Sequence, residues 1–157
     1  MFPVGPIKFL RFLAGYAPCT FVGMALITEA SFAPITYRVI GCAIKVHKAL
    51  GPGVLEEPDR LALAHDMRLD GLRFATKVSL PVVYDGRMLG KTYEMDFLVE
   101  DLVVVEIKCV KCILEIHKEQ LRNYMKLSGK PAGLLINFNV PLLKDGIVRM
   151  LNDKKPK

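Results

Sequence analysis

The chain is predicted to be α/β, a single domain in which helices pack on one mixed sheet. Three observations predict this: two stretches of helical periodicity come first, three β-rich stretches follow, and another helix precedes the last two strands. The resulting order is α, α, β, β, β, α, β, β, with no internal repeat, low-complexity tract or interdomain linker. A length of 157 residues suits one core.

Val39, Ala43, Val46 and Leu50 recur at helical spacing, and the Gly51-Pro52-Gly53 turn stops that helix. A second helix is expected from about Glu57 to Leu69, closed by Asp70-Gly71. Pro58 is tolerated in its first turn, where its missing N–H would lack a helical partner anyway. From Arg73 the texture changes to alternation and β-branched residues: Thr76, Val78 and Leu80, then Pro81-Val82-Val83-Tyr84, with a turn at Asp85-Gly86-Arg87. A second strand is expected from about Leu89 to Val99 and a third from Leu102 to Cys109. The third is apolar on both faces at its start, as in a strand buried mid-sheet. A helix from about Leu114 to Leu127, a strand from Gly133 to Phe138 and a last strand from Gly146 to Leu151 complete the chain.

A hydrophobic fraction of 52% and a charged fraction of 24% are ordinary for globular proteins and argue against disorder, collagen or coiled coil. The formal charge of +6 attracts polyanions, nucleic acid or acidic lipid. Residues 153–157, with Lys154, Lys155 and Lys157, read as a solvated basic tail. Cys19, Cys42, Cys109 and Cys112 are too few and too irregular for a disulfide scaffold, so a reducing, cytoplasmic setting is expected. Cys109 and Cys112 form a CxxC without a second ligand pair, which reads as two ordinary thiols beside a strand end.

Residues 1–35 read as an N-terminal extension outside the domain, which is expected over 36–152. Lys8 and Arg11 precede a short apolar run and loosely imitate a signal peptide, but Pro18, Thr20 and the glycines weaken the pattern, and Met24 offers an internal start. No run reaches the roughly 18–20 apolar residues of a spanning helix, so stable membrane insertion is not expected. Attachment to a membrane through this apolar stretch stays open.

Glu106 and Lys108 are two apart, so on a strand both project from the same face. The preceding strand ends with Met95-Asp96-Phe97-Leu98. Two readings stand. In one, Asp96, Glu106 and Lys108 lie on a solvated face, with Lys108 in an ordinary salt bridge. In the other, two carboxylates supply hard oxygen ligands to Mg²⁺, and Lys108 positions or deprotonates a water and offsets phosphate charge. The second requires Asp96 to lie opposite Val104 or Glu106, hence an odd-numbered loop or a bulge around Glu100-Asp101. A two-residue hairpin would pair Asp96 with Val105 and turn it away from Glu106.

D-x9-E-x-K across a strand pair, preceded by a helix carrying Glu56, resembles the PD-(D/E)XK nucleases. The stretch from Val46 to Glu56 is more specifically similar to the bacterial GxxExxY proteins of that superfamily. Asp96 to Glu100, Val105 to Lys108, His117 to Tyr124 and Gly133 to Phe138 agree with it in order, over about three quarters of the chain. The naming motif departs in one place: Gly53 and Glu56 stand, but Asp59 replaces the tyrosine.

The resemblance implies a restriction-endonuclease-like core. It implies Asp96 and Glu106 as metal ligands with Glu56 completing the shell, Lys108 as the catalytic lysine, and Mg²⁺, or Mn²⁺ in its place, as cofactor. His117, Gln120 and Tyr124 fall on one helical face, where Gln120 would act on water or phosphate and Tyr124 and His117 would contact substrate; a plain polar helix edge is the other reading. Glu56 could alternatively pair with Arg60 at i, i+4. His47 reads as a packing or hydrogen-bonding residue, and Lys45, Lys48, Arg60 and Lys111 as either a basic rim for phosphates or ordinary helix-surface charges. The expected function is a Mg²⁺-dependent nuclease hydrolysing phosphodiester bonds of DNA or RNA; the alternative is an inactive nucleic-acid- or protein-binding module of the same fold.

Overall fold

A computed structural model describes residues 28–53 and 55–152. The expected element order is present: α1 (Glu29–Leu50), α2 (Glu56–Leu69), β1 (Phe74–Tyr84), β2 (Arg87–Val99), β3 (Val103–Lys108), α3 (Glu115–Ser128), β4 (Ala132–Asn137) and β5 (Ile147–Leu151), with a 3₁₀ turn at Leu143–Gly146. The five strands form one sheet in sequence order. β3 and β4 run parallel, joined across α3, and the other neighbours are antiparallel.

Two apolar layers flank this sheet. On one face Val39, Ala43 and Val46 of α1 and Leu63 and Met67 of α2 pack over Phe97, Val105, Ile107, Leu134 and Ile136. On the other, Leu121, Tyr124 and Met125 of α3 cover Leu80, Met95, Val104 and Leu135. β3 and β4 are therefore buried from both sides, which explains their uninterrupted apolar starts.

Two expectations need correction. The first helix reaches back to Glu29, so residues 29–35 are helical and do not belong to an extension. Phe32 is buried in the core, and Arg149 of β5 pairs with Glu29 and lies over the Phe32 ring, tying the helix start to the sheet. Residues 1–27 and the basic tail, with Cys19 and the segment resembling a signal peptide, lie outside the described residues. Leu50, the last member of the proposed apolar stripe, is 57% exposed, because the chain turns away there. As expected, β1 includes Pro81, which an edge strand tolerates, and its register with β2 shifts between Pro81 and Val82.

Two turns set the geometry used below. Asp85 and Gly86, both at positive φ, form the tight link between β1 and β2. Between β2 and β3 the link is three residues, Glu100 to Leu102, with Glu100 and Asp101 at φ 50° and 57°. Glu100 is held by Arg73, whose backbone N–H donates to its carboxylate at 2.8 Å.

Candidate active site

The three-residue link decides which way Asp96 points. It pairs Val99 with Val103, Leu98 with Val104 and Phe97 with Val105. Continuing that register by one pair sets Asp96 across from Glu106, the condition that a two-residue hairpin would break. The backbone ladder gives way there to a side chain: the Ile107 N–H donates to Asp96 Oδ2 at 2.8 Å. The alternation of β2 also breaks at this point, since Phe97 serves one core layer and Met95 the other. Lys77, on β1 between the partners of those two residues, sits at φ 50°.

Glu106 is 3% exposed, yet it carries a carboxylate. Lys108 Nζ donates to its Oε1 at 2.8 Å, as same-face neighbours on β3 should. Its Oε2 is buried and has no hydrogen-bond partner among the described residues. Burial, with the Asp96 charge beside it, pushes the Glu106 carboxyl up to about 7. Burial likewise raises Asp96, against the Ile107 N–H and the Lys108 charge. For Lys108 burial works toward the neutral amine, but the hydrogen bond and charge of Glu106 outweigh it, and its pKa rises. Two carboxylates thus share one ammonium in a poorly hydrated place. The excess negative charge calls for either a proton or a cation.

A hard divalent ion would suit this donor set, since carboxylate oxygens are its preferred protein ligands and Mg²⁺ is commonly held by one or two of them. Asp96 and Glu106 are the residues that would hold it. Glu56 stands apart from this buried pair. It is exposed at the start of α2, and among the described residues no three His, Cys, Asp or Glu side chains gather closely enough to hold a metal. Its charge still reaches Asp96 and Lys108. Nor does Glu56 pair with Arg60, which takes Glu57 at 2.5 Å and is itself buried, so Arg60 is no part of a free basic rim. Lys45, Lys48 and Lys111 are exposed.

α3 brings Tyr124 over the same sheet face as Val104 and Glu106. Tyr124 is buried; burial raises its pKa, against the Gln120 hydrogen bond, and it senses the charges of Glu106, Lys108 and Asp96. Gln120 Nε2 donates to its hydroxyl at 2.7 Å. His117 is drawn into the helix cap, its Nδ1 accepting from the Leu114 N–H at 3.1 Å. That bond leaves Nε2 as the proton-bearing nitrogen. His47 behaves as expected, partly covered and bonded through Nε2 to the Val140 carbonyl at 2.8 Å.

Two contacts were not read from the sequence. Asp59 is not a solvated first-turn acid but 2% exposed, and it accepts from the Cys109 thiol at 3.1 Å. Burial and that bond push the thiol up to about 12, which disfavours the reactive thiolate. Gly53 makes this approach possible, since a Cβ there would stand 1.9 Å from Asp59 Oδ2. The motif's spacing was the only sequence signal for it. The second is the ring of Tyr93, which lies 6.0 Å from that of Tyr124. Counting back two residues along β2 from Met95 would have placed it on that side.

A comparison with curated proteins finds no match. Among solved structures, the crystal structure of SSO0001 aligns over 75% of this chain at 19% identity with a TM-score of 0.44, and the chain spans 60% of that protein's length. The model of the PD-(D/E)XK nuclease superfamily matches residues 33–150, three helices and five strands that include Asp96, Glu106 and Lys108. The chain belongs to the PD-(D/E)XK nuclease superfamily.

Proposed function

We propose that the protein is a Mg²⁺-dependent nuclease of the GxxExxY type that hydrolyses phosphodiester bonds of DNA or RNA. The observation that carries this reading is the buried, partnerless Oε2 of Glu106 next to Asp96, a site one positive charge short. The motif from Gly53 to Glu56 and the superfamily match support it.

When bound, the ion supplies Lewis acidity toward a phosphate oxygen and charge neutralisation. Asp96 and Glu106 hold it, and the Ile107 N–H fixes the Asp96 carboxylate in place. Lys108 orients the attacking water through Nζ and offsets charge on the phosphate as the P–O bond breaks. Tyr124, aligned by Gln120, donates toward a substrate oxygen, and His117 does so through Nε2 at the rim. Glu56 tunes the site by its charge from outside the ligand set.

Purified protein is incubated with labelled single- and double-stranded DNA and RNA in Mg²⁺, Mn²⁺ or EDTA. Metal-dependent cleavage is expected, falling roughly 10³-fold in Asp96→Ala and in Lys108→Ala, since several kcal/mol of charge stabilisation are lost at about 1.4 kcal/mol per tenfold. Equal background in all three proteins supports the binding module instead, and cleavage that survives in Asp96→Ala places the chemistry elsewhere.

A further inference from the structure

The ribbon of β1 and β2 extends well past the sheet. β2 pairs with β3 only from Phe97 to Val99, so most of Arg87–Asp96 has β1 as its neighbour. Along this arm large apolar side chains stand in solvent: Val83, Tyr84, Met88, Leu89 and Tyr93 are 46–72% exposed. Apolar surface gathered on a projecting arm marks a contact site more often than a scatter of single residues does.

One face of the arm continues the candidate site. Leu80 pairs with Tyr93, Val82 with Leu89 and Tyr84 with Arg87, and antiparallel partners share a face. Leu80, Val82 and Tyr84 alternate along β1, and the register shift between Pro81 and Val82 inserts Gly90 and Lys91 on β2, an even number that keeps Leu89 in phase with Tyr93. Leu80 packs in the layer under α3, and the Tyr93 ring meets the Tyr124 ring at 55°. Tyr124 in turn senses the three charged groups. A stripe of Tyr93, Leu89, Tyr84 and Arg87 therefore runs from the Tyr124 ring beside the candidate site to the tip of the arm.

We propose that this stripe is a stacking track for single-stranded nucleic acid, leading unpaired nucleotides toward the candidate site. The proposal deepens the nuclease reading and rests on it for what happens at the end of the track. Tyrosine rings take base faces whatever the sequence, and Arg87 stacks or meets a phosphate. A duplex hides its base faces and would be read through polar groups at base edges and phosphates. The stripe offers mainly rings and aliphatic carbon with one guanidinium, on a chain carrying +6. That composition favours unpaired bases.

The test uses the full chain in EDTA, so that binding is measured without turnover. Single strands containing 2-aminopurine and the matching duplex are titrated by fluorescence quenching and anisotropy against wild type, Tyr93→Ala, Tyr93→Phe and Tyr84→Ala. Quenching by single strands is expected, with duplex binding weaker, a roughly tenfold loss of affinity in Tyr93→Ala, recovery in Tyr93→Phe and a smaller loss in Tyr84→Ala. Tyr84 is 72% exposed, so its variant keeps the fold. Duplex bound as tightly as single strand, or unchanged affinity in both alanine variants, overturns the track. So does a dimer that Tyr84→Ala dissociates in a protein that quenches no base, since the arm would then serve a second copy. Single-strand binding in a protein that cleaves nothing with Mg²⁺ overturns the nuclease reading and upholds the track.

Discussion

The two halves of β3 show what this domain does with burial. Val103, Val104 and Val105 are fully buried among side chains on both faces of the sheet. Glu106, nearly as buried, and the half-buried Lys108 continue the same strand, but bring a carboxylate, an ammonium and an oxygen without a partner among the described residues. The first half stabilises the fold, and the second half is tolerated because its neighbours hold it. Stability and chemistry are thus separated by about three residues along one strand, and substitutions on either side of that boundary should behave oppositely.

The largest effect is expected in the apolar half. Leu134, which pairs with Val105 and is fully buried, should cost about 2–5 kcal/mol when changed to alanine, by lost transfer energy and a cavity. Urea unfolding measures the loss, and any cleavage activity per folded molecule should stay unchanged.

At the charged end the sign reverses. Because the Glu106 pKa is raised in the folded state from 4.5 to about 7, the protonated form favours folding; this stability is complete below pH 4.5 and is lost as pH rises through 7. Metal-free wild type should therefore weaken by up to about 3 kcal/mol between those limits, at about 1.4 kcal/mol per pKa unit. Glu106→Gln, always neutral, should keep that stability at pH 8 and lose metal-dependent activity. Thermal melts in EDTA across pH 4.5–8.5 check it; a steeper loss in the variant than in wild type would refute the charge count.

Gly53→Ala probes how the motif supports the site. The added methyl would meet Asp59 Oδ2 at 1.9 Å and Cys109 Sγ at 3.0 Å, beside the end of β3. A loss of about 1–3 kcal/mol is expected from overpacking. Combining it with Asp59→Ala should restore part of that loss, read as a non-additive double-mutant cycle.

Periodicity made most of this legible. The eight elements and their order follow from spacing of apolar residues, and the shared face of Glu106 and Lys108 follows from their being two apart. Boundaries failed where local chemistry hides the period: Pro34 sits inside α1 and reads as a break, yet Phe32 before it is buried and held by β5. The position of Asp96 could be stated only as a condition on the β2–β3 loop, because one residue more or less reverses the face. Glu56 was placed in the ligand set by resemblance, and the start of α2 leaves it in solvent. The burial of Asp59 and the Tyr93–Tyr124 contact depend on segments distant in sequence, which no local pattern encodes.

The central claim is that Asp96 and Glu106 form the seat of a divalent cation. Calorimetric titration of the metal-free protein with Mn²⁺ at pH 6 and pH 8 tests it directly. Heat of binding should appear with proton release, with affinity rising from pH 6 to pH 8 as Glu106 gives up its proton, and should vanish in Glu106→Gln. Binding of equal strength in Glu106→Gln, or none at pH 8 in the wild type, would contradict it.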